Sequence, residues 1–156
     1  MARHGATIVW QSDGNFASGG YSRAHEWRFD GGATVPASSS PDIVPPPRSD
    51  PAGVDPEEAL VASASACHML WFLSLAQDAG LDVASYRDEA EGVTGRDERG
   101  RIALTRIVLR PDIAFAGSAP DPETLTGLHH QAHEKCFIAN SLRGEVVVEA
   151  PLSDRR

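Results

Sequence analysis

The chain has little positive charge, only two cysteines and no long uninterrupted apolar run. Its 156 residues include 14 Lys and Arg against 22 Asp and Glu, which gives a formal net charge of −8 at pH 7. Nucleic-acid binding needs a basic surface for phosphate contacts, so this balance argues against a nucleic-acid binder. Two cysteines without a secretion signal argue against a disulfide scaffold and leave buried thiols, a metal site or redox chemistry open.

The most apolar stretch, residues 59–76, does not have the composition of a membrane span. Polar residues interrupt it at Ser63, Ser65, His68 and Ser74. No basic segment followed by an apolar one stands at the N-terminus, as a signal peptide would require. We therefore expect a soluble protein of the cytoplasm with no membrane contact.

The composition indicates one globular domain of mixed class, spanning residues 1–156. It is 41% hydrophobic and 23% charged, and its 14 Gly and 11 Pro indicate many turns. Strand-like and helix-like segments alternate with turn residues, which predicts an α+β fold. The predicted elements are an N-terminal strand region at 6–35, a proline-rich loop at 36–54, a central helix at 55–79, a hairpin at 83–110, a second helix at 121–136 and a final strand at 144–150.

The stretch DPEEALVASASACHML, residues 55–70, begins with strong helix signals. Asp55 is a suitable N-cap, Pro56 suits the first helical position, and Glu57 and Glu58 carry negative charge where the helix dipole favours it. Apolar residues then surround the helix axis instead of forming one stripe. We therefore expect a helix that is buried on most sides and ends at Gly80.

Cys67 lies in the apolar part of this helix, where a cysteine taken alone most often acts as a small buried hydrophobe. A second cysteine, Cys136, ends the other predicted helix, and Arg23 and Arg28 lie in the N-terminal strand region. A cysteine is nucleophilic only as a thiolate, and a guanidinium stabilises that anion at any working pH. Together with the carboxylates at the helix start, these residues favour redox chemistry.

The run from Asp55 through Glu58 to Cys67, together with AHEKCFIANSLRGEV around Cys136, resembles the OsmC/Ohr family of organic hydroperoxide reductases. The resemblance covers about residues 7–149. It implies an OsmC-like fold, in which antiparallel sheets pack around a long buried central helix and two chains form an intertwined homodimer.

The same resemblance implies a thiol peroxidase mechanism. Cys67 would attack the hydroperoxide and become a sulfenic acid, and Cys136 would resolve it as an intramolecular disulfide. Glu57 and an arginine, Arg23 in preference to Arg28, would arrange the thiolate. No cofactor is implied, and an external dithiol reductant such as a lipoyl protein would reduce the disulfide.

The apolar neighbours of the two cysteines predict a pocket suited to alkyl or aryl hydroperoxides. The neighbours in question are Leu70, Trp71, Phe137 and Ile138. These residues could equally belong to the core. Glu57 and Cys67 are ten residues apart, which is about 15 Å along one straight helix. If both act in one site, either the helix breaks between them or Glu57 serves the thiol of a partner subunit.

The histidines permit a different interpretation. His129, His133 and Cys136 have a spacing that could offer three ligands to zinc, although a solvated helix face is the commoner outcome and we expect no metal. His68 points about 100° away from Cys67 around the helix, so we expect a core or interface histidine and not the base of the thiol.

A non-catalytic function also remains open. A dimeric OsmC-like protein could bind a small ligand in the apolar pocket, or sense redox state, with cysteines that do not turn over. The thiolate character of Cys67 distinguishes this alternative from the peroxidase.

Overall fold

The computed structural model describes residues 1–149, and the chain divides into two compact units, residues 1–59 and the residues from 60 onwards. Residue 150 of the predicted final strand and the end of the predicted domain, residues 150–156, lie outside the described residues.

The first unit contains a three-stranded antiparallel sheet with the strands in chain order, which confirms strands in this region. They are β1 (Ala6–Val9), β2 (His25–Phe29) and β3 (Thr34–Ala37). Trp27 of β2 lies opposite Ile8 on one side and Val35 on the other, and such aromatic pairs with β-branched residues stabilise a sheet. Gly32 has φ 90° in the turn between β2 and β3, a conformation that favours glycine.

The predicted loop at 36–54 has no helix, and its first two residues complete β3. Its backbone is held to β3 by hydrogen bonds: the Ser38 N–H donates to the Val54 carbonyl at 3.1 Å, and the Val54 N–H donates to the Pro36 carbonyl at 3.0 Å. The segment is therefore an ordered loop that leads into the helix.

Helix α1 (Pro56–Asp78) begins and ends as the sequence predicts. The Glu58 N–H donates to Asp55 Oδ1 at 2.7 Å, and the Asp55 N–H donates back to Glu58 Oε2 at 3.1 Å, a reciprocal capping box. Gly80 follows the last turn with φ 73°. Because α1 is continuous, the predicted alternative of a helix break between Glu57 and Cys67 is wrong.

The prediction that α1 is buried on most sides is wrong for the single chain. Its buried residues form one stripe at four-residue intervals, Ala64, His68, Phe72 and Ala76, while Leu70 on another side is 64% exposed. The apolar residues surround the axis, but a single chain covers only one side of it. By length and composition alone, α1 could also cross a membrane. However, α1 has a buried stripe that includes His68, and His68 is hydrogen-bonded to a residue of another helix. These features are typical of the core helix of a folded domain.

The second unit has two sheets, and they correct the predicted hairpin at 83–110. Strand β4 (Val83–Asp88) pairs antiparallel with β7 (Pro111–Phe115), whereas β5 (Glu91–Arg96) forms the hairpin with β6 (Ile102–Leu109). Between β4 and β7 the chain crosses to the other sheet after Asp88 and returns at Arg110. These two crossing points are joined by a hydrogen bond from the Arg110 N–H to Asp88 Oδ1 at 2.6 Å. The prediction was wrong because a strand-like pattern does not reveal which neighbour a strand takes.

The remaining elements are α2 (Pro122–Lys135), α3 (Phe137–Ser141) and β8 (Glu145–Val148). The predicted second helix ends one residue early, and α3 was not predicted. Strand β8 runs parallel to β6, an exception to the predicted antiparallel pairing, because the helices between them return the chain to its starting edge.

Two apolar clusters flank the second unit's part of α1. One joins α1 to β6 and β8 through Ala64, Ile107, Leu109 and Val146. The other joins α1 to α2 through Phe72, Ala76, Leu128 and Ala132. The junction between α1 and α2 is where both cysteines lie.

Candidate active site

The two thiols meet within the second unit. Cys67 is half-buried on α1, Cys136 is 1% exposed, and both are free cysteines. A side-chain hydrogen bond joins the two sulfurs. The structure therefore brings together the two residues that were predicted to form a redox pair.

Cys136 occupies a corner between two helices. Its N–H donates to the His133 carbonyl at 3.2 Å as the C-cap of α2, and its sulfur accepts a hydrogen bond from the Ala139 N–H at 3.3 Å as the N-cap of α3. A residue that caps both helices cannot continue either, which explains why α2 stops at Lys135. The corner holds the sulfur in place from the backbone side.

The electrostatic environment keeps the Cys136 thiol protonated. Burial, with a smaller contribution from the hydrogen bond to Cys67, raises the pKa of Cys136 to about 11, while the Ala139 N–H acts in the opposite direction. At neutral pH Cys136 therefore keeps its proton, and its S–H can donate a hydrogen bond to the Cys67 sulfur. The two thiols have different environments, as an attacking and a resolving cysteine require.

Aromatic contacts flank the thiols on α1 and on the start of α3. The rings of Trp71 and Phe137 meet edge to face with centroids 5.8 Å apart, and Lys135 Nζ lies 5.3 Å from the Trp71 ring. Leu70 and Phe137 are 64% and 70% exposed, so in the single chain they form an open patch. Ile138 instead packs partly against the apolar cluster around Ala64.

Two histidines form a buried pair between α1 and α2. His68 Nε2 lies 3.0 Å from His129 Nδ1 in a hydrogen bond, and the two rings lie edge to edge with centroids 5.4 Å apart and 9° between their planes. His129 also stacks on Phe72 at 4.6 Å. The prediction that His68 is a core histidine is confirmed, whereas His129 is buried and not on a solvated face.

Burial makes both imidazoles neutral at physiological pH. It lowers the pKa of His68 to about 4, with further lowering from His129 and His133. It also lowers the pKa of His129 to about 4, partly opposed by the nearby Asp88 carboxylate. One ring N–H therefore donates and the partner nitrogen accepts, which is the arrangement that two neutral imidazoles can form.

The predicted zinc ligands are not brought together. Among residues 1–149 no group of three or more His, Cys, Asp or Glu side chains is placed to hold a metal ion. His129 points to His68, and Cys136 points to Cys67, so these two side chains have different neighbours. The exposed His130 lies 3.4 Å from Glu134.

The predicted activating residues lie in the first unit. The Arg23 guanidinium lies 3.5 Å over the Tyr21 ring and donates to the Tyr21 carbonyl at 2.8 Å. Arg28 forms an ion pair with Glu26 at 2.8 Å. Within residues 1–149 neither arginine pairs with Glu57, so their assembly around the thiolate stays a prediction.

Sequence reasoning missed His129 as a structural partner, although a signal was present. On α2, His129 shares a face with Leu125, Leu128 and Ala132, and on α1, His68 falls on the four-residue spacing of the buried stripe. Both histidines thus occupy core positions by periodicity. The hydrogen bond of 2.5 Å from Ser65 Oγ to Asp88 Oδ2 had no such signal, because 23 residues separate the pair.

Comparison with known proteins gives one family. The model of the OsmC-like protein family matches residues 49–150, more than half of the chain. An OsmC-like protein of unknown function from Vibrio cholerae is 48% identical and superposes with a TM-score of 0.93, covering 96% of this chain and 99% of its own.

More distant structures share the fold. An organic hydroperoxide resistance protein OsmC from Legionella pneumophila is 15% identical, with 96% of each chain covered and a TM-score of 0.69. An organic hydroperoxide resistance protein from Elizabethkingia anophelis is 20% identical, with 96% of this chain and 94% of its own covered and a TM-score of 0.69. An uncharacterised Bacillus subtilis protein is 22% identical over 103 residues, which are 65% of this chain and 68% of its own.

Proposed function

Because the chain belongs to the OsmC-like protein family, we propose that it is a thiol-dependent peroxidase that reduces organic hydroperoxides. The observation that carries this proposal is the contact between the Cys67 and Cys136 sulfurs, with the proton held on Cys136. Two structurally similar proteins that are named for organic hydroperoxide resistance add support.

The proposed reaction has three steps. The Cys67 thiolate attacks the terminal peroxide oxygen, the O–O bond breaks, and the alkoxide takes a proton to leave as an alcohol, with Cys67 as a sulfenic acid. The Cys136 thiol then displaces hydroxide from that sulfur, its proton leaves with the hydroxide as water, and a Cys67–Cys136 disulfide forms. An external dithiol, for which a lipoyl protein is a candidate, reduces the disulfide and becomes oxidised itself.

The apolar surroundings favour an organic substrate. Leu70 and Phe137 are exposed beside the thiols, and Trp71 supports the Phe137 ring. We propose that these three residues and Ile138 contact the alkyl or aryl part of the hydroperoxide. Hydrogen peroxide has no apolar part and would gain nothing from this contact.

We propose a homodimer as the active form. The exposed Leu70 side of α1 is apolar and continuous with the thiol site, so a second chain would remove it from water. Glu57 lies about 15 Å from Cys67 along the same helix, which favours a role at the partner's thiol. Arg23 remains the preferred activating arginine because Arg28 already has Glu26 as its partner.

The proposal includes no metal, no other cofactor and no nucleic-acid or membrane partner, and it places the protein in the cytoplasm. The acidic net charge of −8 supports the exclusion of nucleic acid. Elemental analysis of the purified protein checks the metal-free state, with no stoichiometric zinc expected.

The test is one equivalent of cumene hydroperoxide added to the reduced protein. We expect a Cys67–Cys136 disulfide in peptide mass spectra and one equivalent of cumyl alcohol. Turnover should follow when a dithiol such as dihydrolipoamide is supplied. The absence of the disulfide would contradict the proposal, and a disulfide that forms without turnover with dihydrolipoamide or dithiothreitol would identify a redox sensor instead.

A further inference from the structure

The pair formed by His68 and His129 joins the two helices that lead to the cysteines and has no part in the chemistry above. His68 follows Cys67 on α1, and His129 precedes Cys136 by seven residues, two turns of α2. Their hydrogen bond links α1 to α2. We propose that His68 and His129 are positioning residues that hold the two helices in the register needed for disulfide closure, an inference that rests on the proposed function.

The contacts of the His68–His129 pair fix the position of α2 along α1, and we call this pair the lock between the two helices. The His129 ring stacks on Phe72 at 4.6 Å and meets His68 edge to edge at 5.4 Å, and these two α1 residues are four positions apart. His129 therefore packs into the space between consecutive turns of α1. Stacking prevents α2 from moving along α1, and the directional hydrogen bond determines how the His129 ring is turned.

The polar surroundings show that stability alone does not explain the pair. His68 Nδ1 and His129 Nε2 are buried and, within the described residues, have no hydrogen-bond partner. The titratable groups that act on them are Asp88 from β4 and His133 from α2, while Tyr86 of β4 packs against Phe72, and none of these satisfies either nitrogen. Two apolar residues would fill the same volume without leaving polar atoms unpaired, but they would not specify one orientation.

Disulfide closure is the step that needs this register. The two sulfurs must come to about 2.05 Å with their Cβ atoms about 3.8 Å apart, whereas a shift of one residue along a helix moves a side chain by about 1.5 Å. The first oxidation involves the Cys67 sulfur and the peroxide only. Loss of the lock should therefore slow closure and leave sulfenic acid formation unaffected.

The decisive variant is His129→Phe, which keeps an aromatic ring on Phe72 and removes the hydrogen bond. The atoms that form the bond define the rescue variants: Asn can place a polar atom where His129 has Nδ1, and Gln can place one where His68 has Nε2. The matched control is His130→Phe, the exposed neighbour of His129 on α2. Each variant is compared after confirming a cooperative thermal unfolding transition.

Two measurements are made. Rapid mixing with cumene hydroperoxide and dimedone trapping separates the rate of sulfenic acid formation from the rate of disulfide closure. We expect His129→Phe to slow closure by about tenfold, with sulfenic acid formation unchanged, and His129→Asn to recover most of the loss. Equal closure rates in wild type and His129→Phe, or equal slowing of both steps, would overturn the proposal.

The second measurement needs no peroxide. Equilibration in mixtures of reduced and oxidised dithiothreitol gives the stability of the Cys67–Cys136 disulfide, which we expect to fall by about tenfold in His129→Phe, or about 30 mV. If His129→Phe does not fold, His68→Leu and its rescue variant His68→Gln test the same bond from the other side. A wild-type disulfide that responds to His129→Phe in this titration but not to peroxide would contradict the proposed function and leave the positioning role standing.

Discussion

The thiol pair and the imidazole pair both join α1 to α2 or its C-cap, yet burial moves their pKa values in opposite directions. It raises the pKa of Cys136 to about 11 and lowers the pKa of His68 and His129 to about 4. The direction differs because the charged form of a thiol has lost a proton, whereas the charged form of an imidazole has gained one. The low-dielectric surroundings therefore favour the neutral forms of Cys136, His68 and His129 alike.

The largest expected effect breaks the thiol pair itself. Cys67→Ser should abolish hydroperoxide turnover because no sulfur remains to attack the O–O bond. Cys136→Ser should retain the first oxidation and stop there, with the sulfenic acid detectable by dimedone and one equivalent of alcohol released. Steady-state and single-turnover assays with cumene hydroperoxide distinguish the two variants. Turnover at the wild-type rate in Cys136→Ser would show that the disulfide is not on the pathway.

The second effect concerns the imidazole pair and acid. Below pH 6.5 the unfolded chain binds protons at His68 and His129, while the folded chain does not until about pH 4. The contribution of the imidazole pair to the free energy of unfolding should therefore be constant well above pH 6.5 and fall towards pH 4, by on the order of 3 kcal/mol for each imidazole. Urea denaturation at pH 7 and pH 4.5 measures the fall. The double variant His68→Gln, His129→Asn should lose less stability over this interval, and an unchanged pH dependence would contradict the assignment.

A smaller effect sharpens the contrast between the two thiols. In Cys67→Ala the Cys136 S–H loses its acceptor, so the pKa of Cys136 should fall, although burial keeps it above the ordinary value. The pH dependence of iodoacetamide labelling at Cys136, followed by mass spectrometry, reports this change. Cys67→Ser is the matched control because its hydroxyl keeps a hydrogen-bonding atom. A labelling profile in Cys67→Ala that does not shift would mean that Cys136 is governed by burial alone.

The smallest expected effect lies one turn before the paired residues on α1. Ser65→Ala removes the hydrogen bond to Asp88 Oδ2, while Asp88 Oδ1 keeps the Arg110 N–H. We expect a loss of about 1 kcal/mol in the free energy of unfolding and little change in closure of the disulfide. Urea denaturation of Ser65→Ala beside Ser74→Ala, an exposed position on the same helix, isolates the contribution.

Local signals in the sequence predicted the beginning and end of α1 well. Asp55, Pro56 and Glu58 act through their immediate neighbours, and Gly80 acts through its own φ, so no tertiary information was needed. The pairing of β4 with β7 and of β8 with β6 depends on residues far apart in the chain. A hydrophobic pattern along one strand does not specify its partner, and the predicted hairpin was therefore only half correct.

In the candidate site, too, one pairing was predicted from the sequence and the other was not. The pairing of Cys67 with Cys136 followed from resemblance to a family, and the structure brings the two sulfurs together. The partnership of His68 with His129 depends on how α2 packs on α1, which neither helix reveals alone. Only the periodicity of the two buried stripes pointed to it, and the zinc-like spacing of the histidines suggested a competing interpretation.

The double cap at Cys136 means that the redox state of one sulfur reaches the peptide backbone directly. The Ala139 amide donates to this sulfur at 3.3 Å, so its hydrogen senses the electron density of a thiol in one state and of a disulfide in the other. In a ¹⁵N-labelled sample, the chemical shift of the Ala139 amide should therefore report whether the Cys136 sulfur is reduced or oxidised. It requires no added probe, and it would report formation of the proposed Cys67–Cys136 disulfide as it occurs.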